Sequence, residues 1–164
     1  MKERIMDGIL QILARDKHIN EDDVGILKRE FEKNETEYFE DFLIDEEIVE
    51  KDDLLKAMGE FFNVQPVDVL GAVFDHELLV KFPKSILLSS VCIPYYVDNN
   101  ILFVITNDPS SDEVESILRE YVSYDIAFFA GIPRHIDMMI KDFYEDSLYQ
   151  YDYEDNIEES AGQD

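Results

Sequence analysis

Residues 91–144, VCIPYYVDNNILFVITNDPSSDEVESILREYVSYDIAFFAGIPRHIDMMIKDFY, carry the order of elements that decides the fold. Val91 to Val97 is rich in β-branched and aromatic residues, and Ile101 to Ile105 is a continuous apolar run. Between them, Asp98-Asn99-Asn100 supplies residues that tolerate positive φ, so the pair reads as a hairpin. Pro94 cannot donate to a ladder, which puts its strand at an edge. Asn107-Asp108-Pro109 then reads as a turn, and Ser110 with Glu113 has the spacing of a capping box. Val114, Ile117, Leu118, Tyr121 and Val122 keep helical spacing, with Asp112 and Glu113 where the positive end of the helix dipole favours acids. Ile126 to Ala130 is apolar on both faces, as in a strand covered from two sides, and Gly131 ends it. Pro133 suits a first helical position, and Ile136, Met139, Ile140 and Phe143 form the next buried stripe.

If the strands near Ile105 and Phe128 run parallel in one sheet, the helix between them is a crossover and the Pro94 strand lies outside it. The expected product is a small mixed three-stranded sheet with packed helices. Upstream, the chain repeats itself at an offset of thirty residues: Leu13, Ile19, Asp22, Asp23, Val24, Glu30 and Phe31 correspond to Leu43, Val49, Asp52, Asp53, Leu54, Glu60 and Phe61. Each copy reads as helix, turn, helix, with Asn20 as an N-cap in the first and Asn63 closing the second. Neither copy has enough apolar surface to stand alone, so the two are expected to pack together. The fold class is therefore α+β, with a helical repeat subdomain over residues 1–64, an α/β subdomain over 65–144 and a tail over 145–164. The tail is acidic and poor in large aliphatic residues, which predicts disorder beyond about Tyr153.

Composition narrows the function. Asp and Glu number 39 against 14 Lys and Arg, a formal net charge of -25. Such a field repels nucleic-acid backbones and anionic membranes and favours basic partners, so nucleic acid is excluded as a partner. No apolar run approaches the length of a membrane span, and the start MKERIMDGIL has no signal-peptide core, so direct membrane insertion is not expected and a cytoplasmic location is. Cys92 is the single cysteine and reads as a buried thiol. His18, His76 and His135 are far apart, without Cys or His at ligand spacing, and no serine lies in a nucleophile elbow, so neither a metal nor a catalytic site is expected. His135, in a first helical turn, is expected to face water or a local hydrogen bond. Nothing matches the phosphate-cradling pattern G-x-x-x-x-G-K-[ST], so the chain is read as a non-enzyme that requires no cofactor.

Residues 75–144 place a Pro-opened helix at Pro83, a strand with an internal Pro at Pro94, a hairpin, a turn at Asp108-Pro109, a helix, a strand and a last helix ending in Phe143-Tyr144. In that order the chain resembles the N-terminal domain of type II secretion ATPases (general secretion pathway protein E) and of type IV pilus assembly ATPases, without their motor. The resemblance implies a docking or adaptor domain whose partner is a cytoplasmic component of a secretion, pilus or signalling assembly. In some members, tandem copies bind cyclic di-GMP through a motif of Arg, two Gly and a terminal Gln. Aligned here, the Arg positions hold Gly8 and Tyr38, the first Gly positions Leu10 and Glu40, the second Gly positions Lys17 and Glu47, and the Gln positions Phe31 and Phe61. Losing two charge-assisted Arg contacts, each worth about 1.5–3 kcal/mol, disfavours a nucleotide even before the repulsion from Glu40 and Glu47. Gly8, Lys17, Phe31, Tyr38, Glu47 and Phe61 therefore mark a candidate ligand or partner face. The alternatives are a cyclic di-GMP-responsive regulatory domain and an acidic decoy for a basic partner.

Overall fold

The computed structural model describes residues 2–154 of the chain, with side chains through Glu145. Four helices make the N-terminal repeats: α1 (Lys2–Arg15), α2 (Val24–Lys33), α3 (Phe39–Asp45) and α4 (Lys51–Phe62). Asn20 accepts a hydrogen bond from the Asp22 amide at 3.0 Å and opens a 3-10 turn that runs into α2. Asn63 closes α4 in the left-handed region at φ 56°. Ile9, Leu10 and Leu13 of α1, Leu43 of α3, and Leu54 and Met58 of α4 are fully buried in one shared core. That sharing is what two copies with too little apolar surface of their own require.

The second part contains α5 (His76–Leu79), α6 (Lys84–Ser90), β1 (Cys92–Asp98), β2 (Ile101–Thr106), α7 (Asp112–Leu118), β3 (Asp125–Ala130) and α8 (Pro133–Glu154). The sheet order is β1-β2-β3, with β1 and β2 antiparallel and β2 and β3 parallel across α7. Asn99 and Asn100 sit at φ 52° and 64°, the positive values that a two-residue turn matched to the strand twist needs. Pro94 lies on the outer strand, beside a bulge that separates it from Tyr96. α7 contributes Val114 and Leu118, and α8 contributes Ile136, Ile140 and Phe143, to a second core with Ile93, Leu102, Val104 and Ile105.

The two parts are joined by more than chain connectivity. Ala130 and Ile132, at the end of β3, belong to the core of the helical repeats. Asp41 of α3 accepts the Arg134 amide at 3.0 Å in the first turn of α8, and the Arg134 guanidinium pairs with Asp45. A short helix of the repeats thus supplies the acceptor that the long final helix needs at its open end.

Four expectations need correcting. The helix after the Asp108-Pro109 turn is capped by Ser111, whose Oγ accepts from the Val114 amide at 3.4 Å. Ser110 is occupied one step earlier, because its amide and hydroxyl both donate to Asp108 Oδ1. β1 begins at Cys92, since Val91 is the left-handed residue that ends α6, at φ 52°. β3 is an edge strand and its apolar side chains are only half-buried up to Phe129, because Phe129, Phe103 and Tyr96 stack on one face of the sheet instead of beneath a covering layer. The final helix continues through Glu154, so the start of the stretch set apart as a tail is helical backbone, and the disorder expected past Tyr153 falls almost wholly outside the described residues.

Candidate functional site

The positions singled out from the sequence fall at equivalent places of the two repeats, and the fold crosses them over. Gly8 of the first copy meets Phe61 of the second, while Phe31 of the first copy lines a cleft with Tyr38 and Glu40 of the second. Positions 8 and 61 are thereby in contact, and positions 31 and 38 share the wall of one cleft. Both aromatic rings carry a cation from the start of α1: Arg4 lies 5.4 Å from the Phe61 ring centre and Lys2 lies 5.7 Å from that of Tyr38. Phe31 also packs on Phe39 and Phe42, at 5.5 and 5.6 Å between ring centres.

Gly8 is required by this crossing. A Cβ there would lie 2.0 Å from Phe61 Cε1 and 2.4 Å from Cδ1, so the ring occupies the space of a side chain. Gly8→Ala is expected to lower stability by about 1 kcal/mol, because overpacking costs about 1–3 kcal/mol while the gain in helix propensity over glycine is about 1 kcal/mol. Urea titration of Gly8→Ala with and without Phe61→Leu checks this, since the smaller residue should recover the loss.

Lys17 and Glu47, at the second Gly positions, are both left-handed, with φ 66° and 56°. Each closes its first helix through the same pair of hydrogen bonds: His18 N–H to Leu13 O at 2.8 Å with Lys17 N–H to Ala14 O, and Ile48 N–H to Leu43 O at 2.9 Å with Glu47 N–H to Ile44 O. This is the helix ending that ordinarily takes glycine. Lys17→Gly and Glu47→Gly are each expected to stabilise by about 1 kcal/mol, the steric penalty of a Cβ there, as read by chemical denaturation. Both side chains are exposed at the repeat turns, away from the cleft.

The cleft has a volume of about 670 Å³ and lies between the repeats and the α/β part. Its walls come from α1, the end of α2, the start of α3, the α6–β1 junction, the loop after β2, and α7. Glu40 and Asp41 in α3 are each only 5% exposed. Glu40 stands at the place equivalent to Leu10 of the first copy, and both are buried. Among the described residues Glu40 has no ion pair and no hydrogen bond from another side chain. Burial, followed by the charges of Asp41 and Asp108, pushes the Glu40 carboxyl up to about 7, against its own amide and Lys2. Burial also pushes Asp41 up to about 6, opposed by the Arg134 amide and guanidinium. Tyr38 is raised to about 12, first by burial and then by the charge of Glu37.

A family model described as the MshEN domain matches residues 62–150. The chain belongs to the MshEN domain family. The resemblance to the N-terminal domains of type II secretion and type IV pilus ATPases is thereby established. A solved structure described as MshE with cdg superposes with a TM-score of 0.64 at 15% identity, covering 83% of this chain and 98% of that one. The N-terminal domain of XpsE gives 0.59 at 16% identity, covering 84% and 94%. Both superpositions span more of the chain than the α/β part supplies, so the likeness in fold extends into the tandem repeats, which lie outside the MshEN match. No curated protein matches the sequence.

Among the described residues of this MshEN chain, no group of three His, Cys, Asp or Glu side chains is placed to hold a metal ion. His18 Nδ1 lies 3.4 Å from Asp53, and His76 packs its ring edge on Phe143 at 4.7 Å. His135 departs from expectation, since its Nδ1 is shut away from solvent without a partner among the described residues, and burial lowers its pKa. Cys92 is buried, which pushes its thiol up to about 12. No helix among these residues is long and apolar enough to cross a membrane. Sequence reasoning does not single out Asp41, and it sets Ser90 aside with the other serines, since none lies in a nucleophile elbow. The buried Ser90 hydroxyl has no hydrogen-bonding partner here and left no pattern to read.

Proposed function

We propose that the chain is a non-enzymatic docking or adaptor domain that binds a cytoplasmic component of a secretion, pilus or signalling assembly. Membership of the MshEN family supports it. The observation that carries it is the refilling of the positions at which related repeats hold a nucleotide. Phe61 occupies the space over Gly8, and the partly buried Phe31 and Tyr38 line a cleft with the buried Glu40. An aromatic and acidic surface of this kind favours a protein partner over a doubly anionic dinucleotide.

Affinity capture from the native cell with mass spectrometry tests this reading. Recovery of a transport, pilus or signalling component is expected, and recovery of none removes it. Tyr38→Ala should weaken that capture at least tenfold while leaving the melting transition in place, because Tyr38 is only partly buried. A second reading, a cyclic di-GMP-responsive domain, draws on the likeness to MshE with cdg. Calorimetry decides it: no binding in the micromolar range is expected, and binding there would replace the docking reading.

A further inference from the structure

We infer that the cleft between α1, α3 and α7 is a receptor for an arginine side chain carried by a basic segment of a partner protein. Three observations converge on that chemistry. The cleft is lined by the carboxylates of Glu3, Glu32, Glu37, Glu40, Asp108 and Glu113, against the single cation Lys2 at its edge. Glu40 is 5% exposed and lines the cleft with no ion pair among the described residues, favoured in its charged form by its own amide and by Lys2 at the edge. A carboxylate taken out of water and left unpaired is costly, and a cation delivered to it removes that cost. Independently, Ser90 is a wall residue of the same cleft, and its Oγ is hidden from solvent with no partner among the described residues.

The shape of the remaining wall selects arginine over a small inorganic cation. Ile5, Met6, Val114 and Ile117 line the cleft alongside the rings of Phe31 and Tyr38. An arginine has an alkyl stem for the aliphatic wall, a flat guanidinium that stacks on aromatic faces, and five donors for a carboxylate and a hydroxyl together. The net charge of -25 draws such a segment in from a distance. The inference rests on the docking reading for the source of the side chain.

The test uses the full chain and an acetylated, amidated peptide, Leu-Arg-Ile-Arg-Leu, compared with the same peptide carrying citrulline in place of both arginines. Amide shifts are expected at Ser89 to Val91, Thr106 to Asp108 and α7, with the citrulline peptide at least tenfold weaker. Glu40→Gln should weaken the arginine peptide tenfold with its fold intact by melting, and Ser90→Ala should weaken it by a smaller factor. Equal binding of the citrulline peptide, shifts confined to other surfaces, or the same shifts from spermidine with none from the peptide would each overturn the inference. Capture of a native partner with unchanged yield by Glu40→Gln would remove the cleft from the interface while leaving the docking reading standing. Failure of the unaltered chain to capture any partner would remove that reading, and the peptide experiment would still decide the cleft.

Discussion

Glu40→Gln is expected to stabilise the protein by about 1–3 kcal/mol at pH 8 and to flatten its stability between pH 5 and 8. A carboxyl whose folded pKa is about 7 instead of 4.5 binds its proton more tightly in the native state than in the unfolded chain. Its contribution is complete below pH 4.5 and is lost as pH rises through 7, at about 1.4 kcal/mol for each unit by which the two states differ. Asp41, raised from 3.8 to about 6, acts in the same direction over a lower window. The groups facing Glu40 are Asp41 on its own helix, Asp108 after β2 and Lys2 on α1. Asp16, Glu60 and Asp68 are held below their ordinary values by Arg15 and Lys51, so their opposing effect belongs to more acidic solutions, whereas His135, lowered by burial, opposes Glu40 near pH 6.5. Urea titrations at pH 5.5 and 8 should therefore find that the natural protein loses more stability than the glutamine variant on going to the higher pH. Two superimposable pH profiles would show that Glu40 carries no such cost.

Leu43→Ala should cost about 2–5 kcal/mol, the range for emptying a fully buried leucine site. α3 has only seven residues and is held by Phe39, Phe42 and Leu43, since so short a helix has little stability of its own. The same helix presents Asp41 and Asp45 to Arg134, so loosening it also exposes the start of α8. Unfolding is accordingly expected to remain a single transition, moved to lower urea, when followed by circular dichroism and by tyrosine fluorescence. Two separated transitions would mean that the parts on either side of residue 64 fold independently. Leu13→Ala, at the equivalent place of the first copy, should behave alike.

Most of the α/β part was readable because its signals are local. Two asparagines between apolar runs make a tight turn, Pro94 marks an edge, and Pro83 and Pro133 open helices. The repeats were readable as an offset, and the matched left-handed residues Lys17 and Glu47 agree with that alignment. What local pattern could not convey was which residues meet across the chain. Gly8 inside a helix was a clue, since glycine there weakens a helix unless something lies close, but nothing near it in sequence points to Phe61. Ser110 and Ser111 offer nearly the same capping spacing, and the choice fell to whichever hydroxyl Asp108 left free. Glu40 read as an acid facing a ligand at the first Gly position, and only its correspondence with Leu10 hinted that it would be enclosed.

The placement of the Phe61 ring over Gly8 also constrains how this lineage can change. A side chain at position 8 meets the Phe61 ring at its first carbon. Enlarging position 8 is therefore coupled to position 61, so the two residues, in different repeats, change most easily together.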